Sequence, residues 1–293
     1  MQPIAAWLVA RPERAVFILI ASFLLPITQI LGSAILVLLV LSRGPGQAAV
    51  SAVFSFGAVL AIALVSKVPV SQLFQVVLTI WLPGMALALL LQRMRSLTLL
   101  LQSTVLVAMV VIVGLYVVLG DPAAYWHSML EDFAGAWRDA GLQQEADLFV
   151  QLLPYAPQMT GIFVSIGWLL HVVAFLAGYA AYISLPGQSD GFGRFSDLNF
   201  GRVLALALAL ASIAGMITAS ILVQNVAFVL FVIFWLQGLA LLHWLRRTGR
   251  LPTVVLAAVY VLTVLLGPVL VPAVGVIGYT DAWFNYRPRI DKK

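Results

Sequence analysis

The sequence contains no cysteine, and only 9% of its 293 residues are charged. Without cysteine the chain has no disulfides, thiolate-bound zinc, iron–sulfur clusters or catalytic thiols. An ordinary soluble domain has about a quarter of its residues charged, so that class is excluded too. The chain is instead rich in apolar residues, with 63% hydrophobic side chains and a mean hydropathy of +1.07. This composition predicts a polytopic membrane protein.

Charge is also missing from the apolar segments. None of the 11 acidic and 16 basic residues falls inside an apolar run. A charge at the centre of a bilayer costs several kcal/mol and is kept there where function requires it. The distribution therefore argues against an intramembrane carboxylate relay for protons or sodium, and against an arginine voltage sensor.

The apolar residues form eight stretches, and the first and last are long and interrupted. Pro26 and the pair Gly32-Ser33 break the first, and Gly267-Pro268 and Pro272 break the last. Because proline removes a helical hydrogen bond, each of these two stretches is predicted to be a pair of short helices that returns to its starting side. The eight stretches are residues 15–41, 47–66, 69–91, 97–119, 156–183, 203–222, 226–245 and 252–278.

The distribution of Lys and Arg supports this folding back through the positive-inside rule. With both terminal stretches folded back, one side of the membrane receives fourteen basic residues and the other only Lys67 and Arg138. We therefore predict an all-α polytopic bundle of about 8–10 membrane helices in the bacterial cytoplasmic (inner) membrane, with short broken helices at both ends and both termini in the cytoplasm. The net charge of +5 is then orientation charge, and no nucleic-acid partner is predicted. The fourteen are Arg11, Arg14, Arg43, Arg93, Arg95, Arg194, Arg202, Arg246, Arg247, Arg250, Arg287, Arg289, Lys292 and Lys293.

This topology predicts four regions. They are an N-terminal membrane bundle over residues 1–120, an extracytoplasmic amphipathic helical hairpin over 121–154, a C-terminal membrane bundle over 155–280, and a basic cytoplasmic tail over 281–293.

Two extramembrane segments are candidate contact surfaces. In the hairpin, Asp121-Pro122 is a typical helix start. The hairpin either caps the bundle on the outer membrane surface or forms a lid or docking surface for a partner. The glycine-rich loop Ser184–Arg202 is interpreted either as a flexible connector or as a partner-docking loop. One apolar face of the hairpin recurs at helical spacing, with Trp126, Leu130, Phe133 and Trp137.

Catalytic motifs are missing from the sequence as well. It has no Ser-His-Asp order, no H-E-x-x-H or G-x-S-x-G motif, and no nucleotide-binding loop. We therefore expect no enzyme, no cofactor and no metal, and any ATP-driven step would need another subunit. His171 is the one strongly titratable side chain near the centre of a span. It is either a neutral imidazole bonded to a neighbouring helix, or a proton relay or hydrogen-bond partner of a substrate.

Several polar side chains lie in or near the spans, namely Gln29, Gln72, Gln75, Gln102, Gln224, Asn225 and Gln237. Such residues either hydrogen-bond a neutral solute or join helices. The interruptions at Pro26 and Pro83 are typical of discontinuous helices that expose backbone polar groups to a ligand. The predicted ligand-binding residues are Pro26, Gln29, Gln72, Gln75, Pro83 and His171.

The pattern resembles the YybS-like family of uncharacterised bacterial polytopic membrane proteins. At the front, two short apolar helices around Pro26 lead to Arg43-Gly-Pro-Gly-Gln-Ala48. At the end, Gly278-Tyr-Thr-Asp281-Ala-Trp-Phe-Asn285-Tyr-Arg287 resembles the closing signature of that family. The front half of the family is in turn similar to the substrate-binding S components of energy-coupling-factor vitamin transporters. The resemblance implies a subunit that binds or transports a small solute.

The closing segment is also predicted to contact the membrane or a partner. Trp283, Phe284 and Tyr286 suit the headgroup layer, while Arg287 suits anionic lipid. Asp281 is expected to cap a turn or to pair with Arg287. The segment therefore serves either as a membrane anchor or as a specific cytoplasmic docking site.

Two functions of different classes follow. The leading one is a non-enzymatic binding or transport component for a small, neutral or amphipathic solute, without an ATPase of its own. The alternative is a membrane scaffold or assembly protein that holds partners through the hairpin, the loop Ser184–Arg202 and the tail. The expected partners are membrane lipid, other membrane subunits and the solute itself.

Overall fold

The computed structural model describes residues 2–23 and 26–291, and of residues 26, 27 and 291 it describes only the backbone. Within these residues the secondary structure is helical, with no strand. Six of the described helical segments are long and apolar enough to cross a membrane, and Thr28–Arg43 and Thr253–Leu265 are shorter apolar helices. The predicted all-α polytopic membrane fold is confirmed. The six segments are Pro45–Ser66, Val70–Met94, Leu97–Leu119, Gln143–Ile183, Gly201–Thr218 and Ile221–Arg247.

The chain divides into two compact units. The front unit comprises Met1–Leu101 and Trp168–Arg194, and the back unit comprises Gln102–Gly167 and Phe195–Lys293. The four regions predicted from the topology stay a prediction. In chain order the helices are α1 (Gln2–Ala10), α2 (Pro12–Ala21), α3 (Pro26–Arg43), α4 (Pro45–Ser66), α5 (Val70–Val76), α6 (Leu82–Met94), α7 (Leu97–Leu119), α8 (Pro122–Asp139), α9 (Gln143–Leu152), α10 (Met159–Ile183), α11 (Gly201–Thr218), α12 (Ile221–Arg247), α13 (Thr253–Leu265), α14 (Gly267–Phe284) and α15 (Tyr286–Asp291). The shorter elements are a π-helical turn (Val77–Trp81) and two 3₁₀ segments (Leu153–Gln158 and Phe195–Asp197).

In the front unit, α2 and α3 form a pair that folds back. Pro12 opens α2 at a position where a helix needs no backbone donor. The guanidinium of Arg43, at the end of α3, donates to the carbonyl of Val9, at the end of α1. Arg14, near the start of α2, donates to the carbonyl of Trp7 in α1 over 3.0 Å. Since α2 begins where α3 ends, the chain returns to its starting side, as the sequence predicts.

Glycines bring helix backbones together within the front unit. A side chain at Gly84 of α6 would collide with Ser33 of α3, and one at Gly178 of α10 would collide with the backbone of Ala34. Small residues at such points permit the close van der Waals contact that holds membrane helices together. The pair Gly32-Ser33 lies inside the continuous helix α3, so the break predicted there is wrong. The pair instead acts as a packing surface for the neighbouring helix.

In the back unit, α12 is the central helix. Of its apolar segment 61% is buried, against 17% for that of α11. A side chain at Gly238 of α12 would collide with the backbone of Val274, and one at Gly278 of α14 would collide with the backbone of Phe234. These glycines let α12 and α14 pack backbone against backbone.

The end of the chain also folds back, within the back unit. Gly267-Pro268 opens α14 after the short α13, so the break predicted at this pair is present. The break predicted at Pro272 is wrong, because Pro272 lies inside α14. Arg250, which lies between α12 and α13, donates to the carbonyl of Ile290 in α15 over 3.0 Å. The residues before α13 therefore contact the residues after α14. The chain folds back here, as the distribution of basic residues predicts.

The hairpin is formed by α8 and α9. Asp121 caps α8 by accepting a hydrogen bond from the backbone N–H of Ala124, over 3.1 Å. Trp126 and Leu130 are buried, whereas Phe133 and Trp137 are exposed and lie against Phe149 of α9. The apolar face predicted for α8 is therefore buried in its first half and exposed in its second half.

Candidate functional site

The six residues predicted to bind a ligand lie in the front unit. Gln72 and Gln75 of α5 are exposed, and Gln29 of α3 is half-buried. The side chain of Pro26 lies outside the described part of the chain. The ligand-binding role of these residues stays a prediction.

Two of the six, Pro83 and His171, act on the same carbonyl group. In an α-helix, the N–H of residue 83 would bond the carbonyl of Thr79, but proline has no N–H. The helix forms the π-helical turn Val77–Trp81 just before this point. His171 Nε2 lies 2.6 Å from the carbonyl oxygen of Thr79. A carbonyl can only accept, so Nε2 carries the proton, and the imidazole joins α10 to the interrupted helix.

Buried amides of the back unit join backbone segments. Asn225 Oδ1 accepts from the N–H of Gly161 over 2.7 Å, and its Nδ2 donates to the carbonyl of Pro157 over 2.8 Å. Gln102 donates to the carbonyl of Phe200 over 3.0 Å. These side chains satisfy backbone groups at the ends of helices, which is the helix-joining role.

A polar network centres on Asp281 of α14, which is 0% exposed. Its Oδ2 accepts from Arg287 Nη1 over 2.7 Å and from Gln237 Nε2 over 3.0 Å. Its Oδ1 accepts from the backbone N–H of Tyr286 over 3.1 Å. Asp281 therefore does both things expected from the sequence, because it caps a turn and pairs with Arg287.

The same network fixes the end of the loop that precedes α11. Arg287, whose side chain is 11% exposed, also donates to the carbonyls of Ser196 and Leu198 over 3.3 and 2.9 Å. Gln237 Oε1 accepts from the N–H of Phe200 over 2.7 Å. One carboxylate thus holds the end of α14, the middle of α12 and the entry to α11 together.

The aromatic residues of the tail are less enclosed than Asp281. Trp283 and Tyr286 are half-buried, and Phe284 is 50% exposed. Arg289 lies over the ring of Phe284 at 5.8 Å. Their predicted role in membrane or partner docking stays a prediction, but Asp281 and Arg287 are engaged in internal contacts.

A groove of about 610 Å³ lies in the back unit between α11, α12 and α14. This volume falls in the range of about 300–1,000 Å³ that is typical of small-molecule sites. A second cavity of about 190 Å³ shares Ser212, Gln224 and Ala227 with it. The walls of the groove are mainly apolar, with Leu208, Ile213, Phe228, Phe231 and Val276.

The polar groups along the groove are few. They are contributed by Ser212 of α11, Gln224 of α12 and Tyr279 of α14. Gln224 Nε2 donates to the carbonyl of Gly215 over 3.3 Å. The ring of Tyr279 packs edge-on against Trp283, with 6.2 Å between centroids. A mainly apolar site with a few polar positions suits an amphipathic molecule.

Sequence reasoning missed this groove. Of its polar residues only Gln224 is conspicuous in the sequence, because the other lining residues are typical of any membrane helix. The recurrence of Ala209 and Ser212 along α11, where larger side chains flank them, is the weak signal that small residues leave space there. Among the described residues no group of three or more His, Cys, Asp and Glu is placed to hold a metal.

Comparison with known proteins identifies a family. A family model described as "Predicted membrane protein (DUF2232)" matches residues 129–282, a little over half of the chain. The match extends from α8 to the end of α14, so it includes the groove and Asp281. No curated protein and no solved structure matches the chain.

Proposed function

We propose a binding function for this chain on the premise that it belongs to the DUF2232 family of predicted membrane proteins. The protein binds a small amphipathic molecule within the membrane, between α11, α12 and α14 of the back unit, and performs no chemistry on it. The binding serves transport or delivery of that molecule, and a separate subunit supplies any energy.

The groove is the observation that carries this proposal. It is lined by apolar side chains, and the exposed side chains at its rim include Ile213 and Val276. Both α11 and α12 are long apolar helices. A molecule that enters such a groove from the bilayer exchanges contact with lipid for contact with protein.

The resemblance of the front half to S components supports the part of the proposal in which a separate subunit supplies the energy. In that arrangement one membrane subunit binds the solute and another couples ATP hydrolysis to its movement. The sequence predicts that the solute binds between the front helices, around Gln72, Gln75 and Pro83. The cavities described above favour the back unit instead, because they lie there.

The proposal includes the bacterial inner membrane as the location, with both termini in the cytoplasm. The excess of basic residues on one side supports it through the positive-inside rule. Fusion of a reporter that is active only in the cytoplasm to the C-terminus is expected to give activity. A C-terminal reporter that is active only outside the cytoplasm would overturn this topology.

The binding function is tested by filling the groove. Ala209→Trp places an indole between α11 and α12, whereas Leu210→Trp adds the same group at an exposed position of the same helix. The full-length proteins are extracted from the native membrane in a mild detergent, and bound small molecules are identified by mass spectrometry. We expect a stoichiometric amphiphile with the unmodified protein and with Leu210→Trp, and about tenfold less with Ala209→Trp. Equal recovery from all three proteins contradicts the proposal.

A second candidate, the membrane scaffold, is favoured by the exposed aromatic side chains of the hairpin. Phe133, Trp137 and Leu148 are exposed, and aromatic residues are enriched at protein interfaces. If the scaffold function is correct, Phe133→Ser with Trp137→Ser removes co-purifying membrane proteins and leaves the bound amphiphile in place. If the groove function alone is correct, these two substitutions change neither the co-purifying proteins nor the bound amphiphile, and Ala209→Trp removes the amphiphile.

A further inference from the structure

An arginine lies on α11 before the residues that line the groove. Arg202 is exposed and lies in the first turn of α11. Ala209 and Ile213, which line the groove, follow Arg202 by about two and three whole turns of helix. Arg202 therefore lies on the face of α11 that borders the groove.

Aromatic residues lie close to this arginine. Arg202 Nη2 lies 3.4 Å from the carbonyl oxygen of Trp283, to which it donates. Tyr279, which lines the groove, precedes Trp283 by about one turn of α14 and packs against its ring. Tyr and Trp are enriched at the level of the lipid headgroups. Arg202, Tyr279 and Trp283 thus form what we name the headgroup end of the groove.

The separation between Arg202 and the residues that line the groove matches the thickness of one leaflet of a bilayer. At 1.5 Å per residue, Ala209 and Ile213 lie about 10 to 17 Å from Arg202 along the axis of α11. Half of the hydrocarbon core of a bilayer is about 15 Å thick. A lipid whose headgroup lies at Arg202 would therefore place an acyl chain along the apolar walls of the groove.

The charge at this end favours an anion. Two nearby carboxylates already have arginine partners, because Asp281 pairs with Arg287 and Asp197 pairs with Arg247. Arg202 instead donates to a neutral carbonyl. A guanidinium has five N–H donors and matches the oxygens of a phosphate in pairs, so it can bind a phosphate while it keeps that contact.

We propose that the groove binds an anionic membrane lipid, with an acyl chain between α11, α12 and α14 and the phosphate on Arg202. This inference rests on the proposed binding function and names the chemical class of the molecule. A lipid without a phosphate, such as a diacylglycerol, would fill the apolar walls equally well but would leave the guanidinium without an anion.

Matched variants test the contact with the lipid headgroup and the contact with the acyl chain separately. Arg202→Gln removes the charge at the headgroup end. Arg246→Gln removes an exposed charge of α12 that donates to Thr253 and does not line the groove. Ala209→Trp fills the groove, and Arg202→Lys keeps a positive charge without the paired donors. Circular dichroism and gel filtration in detergent identify any variant that fails to fold, and Ile213→Trp replaces Ala209→Trp in that case.

The experiment is a lipid titration of the delipidated full-length protein, followed by native mass spectrometry. The probes are phosphatidylglycerol and diacylglycerol with identical acyl chains, and inorganic phosphate. We expect one phosphatidylglycerol per chain, bound about tenfold more tightly than diacylglycerol, and no retained phosphate. Arg202→Gln should abolish this preference, Arg202→Lys should restore part of it, and Arg246→Gln should leave it unchanged.

The possible failures are distinguishable. If both lipids bind equally and only Ala209→Trp prevents binding, the binding function stands and the anionic-lipid inference is wrong. If Arg202→Gln and Arg246→Gln weaken binding equally, the interaction is general surface attraction and the inference is also wrong. If a second copy of the chain occupies the groove, both proposals fail. If no lipid binds stoichiometrically, the anionic-lipid inference is wrong, and the molecules recovered from the native membrane decide the binding function.

Discussion

Two helices of this protein, α5 in the front unit and α12 in the back unit, use the same residue type in opposite ways. In the front unit, Gln72 and Gln75 are exposed on α5, whereas in the back unit Gln237 of α12 is 0% exposed and bonds both Asp281 and the N–H of Phe200. The front unit packs through glycines and small hydroxyl residues, and the back unit adds a buried ion pair to its glycine contacts. The comparison teaches that a polar residue in an apolar helix acquires its role from the backbone group that it meets.

Among the variants that test this comparison, removal of Asp281 is expected to cause the largest loss of stability. Asp281→Ala leaves the guanidinium of Arg287 buried without a carboxylate, and breaking such a pair costs about 3–5 kcal/mol. Thermal unfolding of the purified protein in detergent, followed by tryptophan fluorescence, measures the loss. Asp197→Ala removes the more exposed partner of Arg247 and should cost about 0–1 kcal/mol.

The double variant Asp281→Leu with Arg287→Leu sharpens the result. Because it removes both charges, it should recover part of the stability that Asp281→Ala loses. If Asp281→Ala and Asp197→Ala lower the unfolding temperature equally, the network does not hold the back unit together.

Enlargement of Gly278 is expected to have the next largest effect. Gly278→Val forces a side chain into the backbone of α12, and overpacking of this kind costs about 1–3 kcal/mol. Gly178→Val makes the corresponding change in the front unit. Gly114→Ala is the control, because no atom outside its own helix lies within 4 Å of the position. Proteolysis of the folded protein then reports which unit opens. A Gly278→Val protein as stable as the control would mean that α12 and α14 do not pack this closely.

Replacement of the glutamines tests the comparison directly. Gln237→Leu leaves the N–H of Phe200 without its acceptor and removes one of the donors to Asp281, so we expect a loss of about 1–3 kcal/mol. Gln75→Leu changes an exposed side chain and should alter stability by no more than about 0.5 kcal/mol. The two variants are compared by unfolding in the same detergent. Equal losses would remove the distinction between the units.

The smallest effect is expected at His171. His171→Ala removes the donor to the carbonyl of Thr79, and hydrogen bonds between membrane helices contribute about 0.6 kcal/mol on average. Pro83→Ala restores a backbone N–H that can bond the same carbonyl. In the double variant the effect of His171→Ala should therefore be smaller than in the natural sequence. Additive effects in this double-mutant cycle would show that Pro83 and His171 do not act on one group.

Several features of the fold and the candidate site were predictable because they depend on neighbours in the chain. Pro26 and Gly267-Pro268 interrupt apolar stretches, and proline disrupts a helix whatever surrounds it. Asp281 and Arg287 are six residues apart, so their pairing was one of two expected roles. The groove was not predictable, because its walls come from α11, α12 and α14, which are separate in the sequence. In helices that are apolar on every side, hydropathy does not reveal which face meets a neighbour.

The sequence by itself determined that this is an all-helical membrane protein with folded-back helices at both ends. That follows from the cost of charge and unpaired backbone in a bilayer, which acts on each segment separately. Only the tertiary structure decided that Gln237 joins helices, that Asp281 is enclosed, and that space remains between α11, α12 and α14. These outcomes depend on which helix faces are brought together, and the packing of distant segments sets that arrangement.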